Sequence, residues 1–298
     1  MTRRLDWARD SAGWPHREAS RFVAAGGFDW HVQILGQGPV LLLVHGTGAS
    51  THSFRDLATR LASDYTIVMA DLPSHGFTDR PPWQRPSLPG WAAMLGSLLD
   101  RLEVRPTYAA GHSAGAAILA RMALDGLFAP ERIVSLNGAL LPFPGVAAHL
   151  FPQLAKLLFL NPVAPRFFSW RARNGGAVAR LMASTGSRLT PEGIAYYERL
   201  LASPRHVEGA LTMMANWDLE SLARDLPRLE TPLTLVVGTA DRAIPSEVSH
   251  KVARIVGRGE VVPLTGLGHL SHEEAPDRVA AAMQSAFARQ SEAVPANA

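Results

Sequence analysis

Short apolar runs, each closed by a polar residue or glycine, recur along the chain at Val40 to Val44, Thr66 to Ala70, Thr107 to Ala110, Ile133 to Leu136 and Leu233 to Val237. Runs this short and this continuously apolar predict strands covered on both faces. Between them the apolar positions repeat every three or four residues. Phe54, Leu57, Ala58 and Leu61 make one stripe, and Leu95, Leu98, Leu99 and Leu102 make another. Alternation of the two patterns predicts an α/β fold with a mostly parallel central sheet and helices on both faces.

The pattern changes at three places. Arg21 to Ala25 and Trp30 to Leu35 flank Gly26-Gly27, which predicts an antiparallel hairpin at one edge of the sheet. Val261 to Leu264 reads as a last strand, at an edge because Pro263 cannot donate to a ladder. A closing helix follows, with Val279, Ala282, Met283, Ala286 and Phe287 on one face. From Leu141 to Leu233 the alternation stops, and proline and aromatics (Phe143, Phe151, Phe159, Phe167, Phe168, Trp170) mix with helical patterns. The predicted organisation is an N-terminal extension at 1–19, a core at 20–141 and 231–291, a helical cap at 142–230 and a flexible tail at 292–298.

Composition narrows the function. A hydrophobic content of 47% with 18% charged residues belongs to a globular protein. The net charge of +3 comes almost wholly from singly scattered arginines, since Lys156 and Lys251 are the only lysines, so no nucleic-acid footprint is expected. The absence of cysteine removes disulfides, thiol nucleophiles and thiolate metal sites. No secretory signal is read in Met1 to Gln33, which points to an intracellular, cytoplasmic protein. Ala148 to Phe168 is broken by Lys156, Pro162, Pro165 and Arg166, which disqualifies it as a membrane span and leaves weak peripheral attachment through Phe151 to Phe168 open.

The chemistry concentrates at sequence positions just beyond predicted strands. Gly111-His112-Ser113-Ala114-Gly115 joins a strand to an alanine-rich helix through Ile118 and Met122. Such a turn raises a serine hydroxyl above the sheet, and small residues at Gly111 and Gly115 let strand and helix approach. A serine hydroxyl needs a base to take its proton, and the base needs a carboxylate to fix its tautomer. Asp241 follows a strand, whereas Asp218, Glu220 and Asp225 read as solvated cap helix and Asn137 is not a carboxylate. His269 follows the last strand; its rival His272 precedes Glu273 and Glu274, read as acids of a helix's first turn. His206 and His250 fall in helical patterns and read as surface residues. His45-Gly46-Thr47-Gly48 ends another strand, so an oxyanion hole would pair the backbone N–H of Thr47 with that of Ala114. No metal site and no cofactor are expected.

Together these residues resemble the α/β-hydrolase superfamily. Asp71-Leu72-Pro73-Ser74-His75-Gly76-Phe77-Thr78-Asp79 is similar to a loop that commonly reads D-x-P-G-H-G-x-S-D there, with Ser74 and Thr78 as departures that bear on its backbone. His269 followed by Glu274 and Pro276 is similar to the family's closing segment. Leu5 to Asp10, Trp14-Pro15, Ala19 to Val23 and His45 to Ser53 further resemble the magnesium-chelatase accessory proteins of bacteriochlorophyll biosynthesis. That resemblance implies a role near magnesium insertion into a tetrapyrrole, with chelatase subunits as partners.

The function expected is hydrolysis of an ester or similar acyl bond in a small apolar substrate. The cap aromatics would serve either as pocket wall or as core. A non-catalytic accessory protein that holds a porphyrin or a chelatase subunit is the alternative reading.

Overall fold

The computed structural model describes residues 4–81, 87–142, 161, 163–173 and 176–289. The strands are β1 (Ser20–Ala25), β2 (Phe28–Gly36), β3 (Val40–Val44), β4 (Thr66–Ala70), β5 (Tyr108–His112), β6 (Arg132–Leu136), β7 (Leu233–Gly238) and β8 (Gly259–Leu264). They form one sheet in the order β1-β2-β4-β3-β5-β6-β7-β8. The hairpin of β1 and β2 is antiparallel and sits at one edge, and β2 also pairs antiparallel with β4. From β4 to β8 every pairing is parallel. Pro263 lies in the edge strand β8, opposite Val237.

The helices among the described residues are α1 (Trp7–Asp10), α2 (Arg55–Leu61), α3 (Leu88–Arg101), α4 (Ala114–Leu124), α5 (Ala164–Ala172), α6 (Ala177–Ser184), α7 (Pro191–Leu201), α8 (Pro204–Ala215), α9 (Glu220–Asp225), α10 (Ser246–Ile255), α11 (Ser271–Glu274) and α12 (Pro276–Ala288). Alternation along the strands divides the core in two. Leu42, Val44, Ala109, Ile133, Leu235 and Val237 pack with α3, α4 and α10 on one face. Leu41, Leu43, Ala110, Val134 and Val236 pack with α2 and α12 on the other. Because the side-chain period is two, one strand feeds both cores.

The chain crosses faces at the centre of the sheet. β3 leads to α2 on one face, while its neighbour β5 leads directly into α4 on the opposite face. Loops that leave adjacent parallel strands toward opposite faces open a crevice at the strands' carboxyl ends. His45 to Gly48 and His112 to Ala114 are those two loops.

The apolar pattern located β5 one residue early and ended it two residues short, at 107–110. Gly111 and His112 are ladder residues opposite Ser135 and Leu136, invisible to a hydrophobicity criterion. The N-terminal segment is also more than an appendage, since Leu5 and Trp14 are buried with Phe77, Tyr196 and Leu200. Phe143, Phe151, Phe159 and the tail at 292–298 lie outside the described residues. Phe167, Phe168 and Trp170 are exposed on α5, so they are not core. No helix among the described residues is long and apolar enough to cross a membrane.

Candidate active site

Ser113 caps α4 with φ 50° and ψ −115°, a backbone conformation that side chains other than glycine rarely adopt. The turn is enforced by close packing. A Cβ on Gly111 would lie 2.4 Å from the carbonyl carbon of Gly115, and one on Gly115 would lie 2.1 Å from the carbonyl oxygen of Val44. No real side chain fits at either distance, so strand β5 and helix α4 meet on bare backbone. Ser113 N–H donates to the Leu136 carbonyl at 3.0 Å, and its own carbonyl accepts from Ala116 and Ala139. These bonds offset the strain that lifts the residue.

Asp241 and His269 come together at the same rim. His269 Nδ1 donates to Asp241 Oδ2 at 2.8 Å, with the two side chains 11% and 1% exposed. The bond fixes the tautomer and leaves Nε2 to take a proton. The other Asp241 oxygen accepts the backbone N–H groups of Ala243 at 2.7 Å and Ile244 at 2.9 Å. The His269 carbonyl accepts from His112 Nε2 at 3.0 Å, which ties the base's loop to the residue before the serine. Ser113 Oγ makes no hydrogen bond to His269 among the described residues, so the serine shares the rim with the pair without being bonded to it.

The loop after β3 closes the third side. A Cβ on Gly46 would stand 3.0 Å from Ser113 Cβ and 2.9 Å from His112 Nδ1, so only glycine lets this loop lie against the serine. The Thr47 N–H has no acceptor among the described residues. Ala114 begins α4, and the first N–H groups of a helix lack an intrahelical partner. The Thr47 hydroxyl donates to Met213 Sδ at 3.2 Å, and Gly48 takes φ +76°. His45 donates from Nδ1 to the Gly46 carbonyl and accepts the Leu72 N–H at Nε2, both at 2.8 Å. Burial holds His45 down to about pKa 4, so this strut is uncharged at neutral pH.

Several residues here escaped the sequence pattern. Asn137, set aside because it is no carboxylate, donates to Asp241 Oδ2 at 2.8 Å and accepts from Ser271 Oγ at 2.6 Å. Its position one residue beyond β6 was the available signal. Gly186 and Ser187, in the chain between β6 and β7, wedge between the acid and base loops: Arg242 N–H donates to the Thr185 carbonyl, and Leu270 N–H donates to Ser187 Oγ. A Cβ on Gly186 would meet the Ala240 carbonyl oxygen at 2.1 Å.

Two expectations are corrected. His206 is buried, not a surface residue: it accepts the Gly76 N–H at Nδ1 and bonds the Gly48 carbonyl through Nε2, both at 3.0 Å. Helical periodicity alone could not see that α8 lies face-down on two core loops. His250, by contrast, is exposed. Glu273 lies in the first turn of α11, as expected, and is buried there. It pairs with Arg55 and accepts the Tyr197 hydroxyl, each at 2.7 Å, and burial pushes it up to about pKa 7 against the pull of Arg55. Asp225, read as solvated, pairs with the buried Arg121 at 2.6 Å. In the loop of Asp71 to Asp79, Ser74 takes φ +65° without being glycine, and the Thr78 hydroxyl accepts the His31 N–H at 2.9 Å.

A mostly parallel sheet with a strained serine on a strand-to-helix turn, and a carboxylate and a histidine beyond later strands, is the arrangement of an α/β-hydrolase fold. The chain belongs to the alpha/beta hydrolase family, whose model matches residues 41–282. It is 41% identical over 272 residues to the magnesium-chelatase 30 kDa subunit of Rhodobacter capsulatus, covering 89% of this chain and 93% of that protein. It is 30% identical over 256 residues to the pyrrolizixenacetamide deacetylase of Xenorhabdus hominickii, covering 81% and 88% respectively. An alpha/beta hydrolase fold protein from Burkholderia ambifaria superposes with a TM-score of 0.75 at 22% identity, over 96% of this chain and all of that one.

Proposed function

We propose that the chain is a serine hydrolase acting on an ester or similar acyl bond of an apolar substrate. Ser113 attacks the acyl carbon, His269 Nε2 takes the hydroxyl proton and returns it to the leaving group, and Asp241 orients the imidazole. The N–H groups of Thr47 and Ala114 receive the oxyanion. Water, activated by the same histidine, then cleaves the acyl-enzyme. The observation that carries this reading is the 2.8 Å bond from His269 Nδ1 to Asp241 Oδ2 at the rim where Ser113 is held in its strained turn. Similarity to a deacetylase agrees with acyl chemistry.

Similarity to a magnesium-chelatase subunit links the reaction to bacteriochlorophyll biosynthesis, with a tetrapyrrole ester as substrate and chelatase subunits as partners. The same similarity favours a second reading, in which the fold holds a porphyrin without cleaving it. A fluorophosphonate probe separates the two. Adduct formation on the Ser113 peptide, lost in Ser113→Ala and His269→Ala, is the expected result. Absence of any adduct in the native chain, with saturable quenching of porphyrin fluorescence, would replace catalysis with binding.

A further inference from the structure

The helix α5 carries a surface that, among the described residues, neither the cores nor the candidate site uses. In α5 the inward positions are Ala164, Pro165, Ser169 and Ala172, small side chains that seat the helix on α7 and α8. Its outward face holds Phe167, 53% exposed, and Trp170, 58% exposed, with Phe168 beside them. The Phe167 ring lies 5.7 Å from Phe168 and 6.1 Å from Trp170, so the three form one patch. Leu181 and Arg180 lie on α6, which packs against α5, and Arg166 and Arg173 lie close to the rings along the chain; all four are exposed.

Clustered exposed aromatics mark an interaction surface. The charge around them selects the partner. From Arg132 through Pro191 the sequence contains no Asp or Glu, while Arg166, Arg171, Arg173, Arg180 and Arg188 fall within that stretch. An exposed helix face with projecting rings, in a stretch of sequence that has arginines and no acidic residue, matches a penetrable anionic plane. Aromatic rings settle at headgroup depth, and guanidinium groups meet lipid phosphates.

We propose that the α5–α6 face docks on an anionic lipid bilayer, with Phe167, Phe168 and Trp170 entering the headgroup layer and Arg166, Arg173 and Arg180 contacting phosphates. The docking is independent of whether Ser113 is a nucleophile. Co-sedimentation of the full chain with phosphatidylcholine vesicles, with and without phosphatidylglycerol, tests it.

Binding is expected only with phosphatidylglycerol and weakens as salt is raised. Replacing Arg166, Arg173 or Arg180 by glutamine lowers partitioning about fivefold per charge. Phe167→Ala/Phe168→Ala/Trp170→Ala lowers it at least about tenfold, with far-ultraviolet circular dichroism unchanged because these side chains are exposed. Equal binding to both vesicle types overturns the anionic assignment. No binding at low salt, or undiminished binding by both sets of variants, overturns the docking face. Retention on a soluble polyanion without vesicle binding would also overturn it, by assigning the arginines to an acidic macromolecule.

Discussion

Acidification from about pH 7.5 to 5.5 should cost this protein several kcal/mol of stability, before ordinary carboxylates titrate. His45 is held to about pKa 4, and His75, His206 and His272 to about 3, in every case first by burial. His52 and His112 are pushed well below the usual range by the same cause. In the unfolded chain each takes up its proton near pH 6.5. Protons therefore load onto the unfolded state and not the folded one, so stability falls as pH drops through 6.5 and keeps falling to the folded values.

From about pH 7.5 to 5.5 each of His45, His75, His206 and His272 costs between about 1 and 2 kcal/mol, roughly 5 kcal/mol for the four, and His52 and His112 add to the loss in the same direction. Glu273 works in the opposite sense. Its carboxyl is raised to about 7, so the folded state gains a proton first and stability rises as pH falls from 7 toward 4.5. That returns about 2 kcal/mol and leaves a net loss of at least about 3 kcal/mol. A domain holds only about 5–15 kcal/mol in all. Urea unfolding followed by tryptophan fluorescence at the two pH values measures the loss directly. A midpoint that moves by the equivalent of less than about 2 kcal/mol would refute the claim that these rings are buried neutral. His206→Gln should flatten the pH slope by one proton whatever it does to absolute stability.

Asn137→Ala should lower kcat about tenfold with little change in KM, because it removes a donor from Asp241 without touching substrate; an unchanged kcat in an ester assay would show that the bond orients nothing. Gly115→Ala should yield little soluble protein, since its Cβ meets the Val44 carbonyl oxygen at 2.1 Å, and a native melting temperature would contradict that packing. Ser113→Gly should abolish probe labelling while raising stability by about 1–2 kcal/mol, since glycine relaxes at φ 50°; a lower melting temperature would mean the turn stores no strain.

The sheet was legible because burial on both faces writes itself as short continuous apolar runs, and the elbow was legible because two glycines had to bracket Ser113. Asn137 was not. Its role depends on β6 lying beside β7, a pairing set by crossover topology rather than by local pattern. The amide does here what a carboxylate search could never report: it grips Asp241 from the next strand. His206 was misread, and the burial of Glu273 went unseen, for a related reason. An amphipathic helix shows which of its faces is apolar, but a histidine or glutamate can also face inward when a fixed backbone group or an arginine waits there.

His206 and Glu273 belong to a set of side-chain bonds that tie the helices between β6 and β7 to the core. The Met213 sulfur takes the Thr47 hydroxyl, His206 bonds Gly48 and Gly76, Ser187 accepts from Leu270, and Tyr197 donates to Glu273. Each of these bonds joins a cap residue to a loop that carries, or adjoins, the candidate oxyanion donor or the base. A cap fixed only by apolar contact could slide without disturbing the site, because hydrophobic burial is non-directional. Directional bonds transmit displacement. Movement of α7 or α8 must therefore be felt at Thr47 and at the loop of His269, and any ligand that shifts the cap will alter the site's geometry before it touches Ser113.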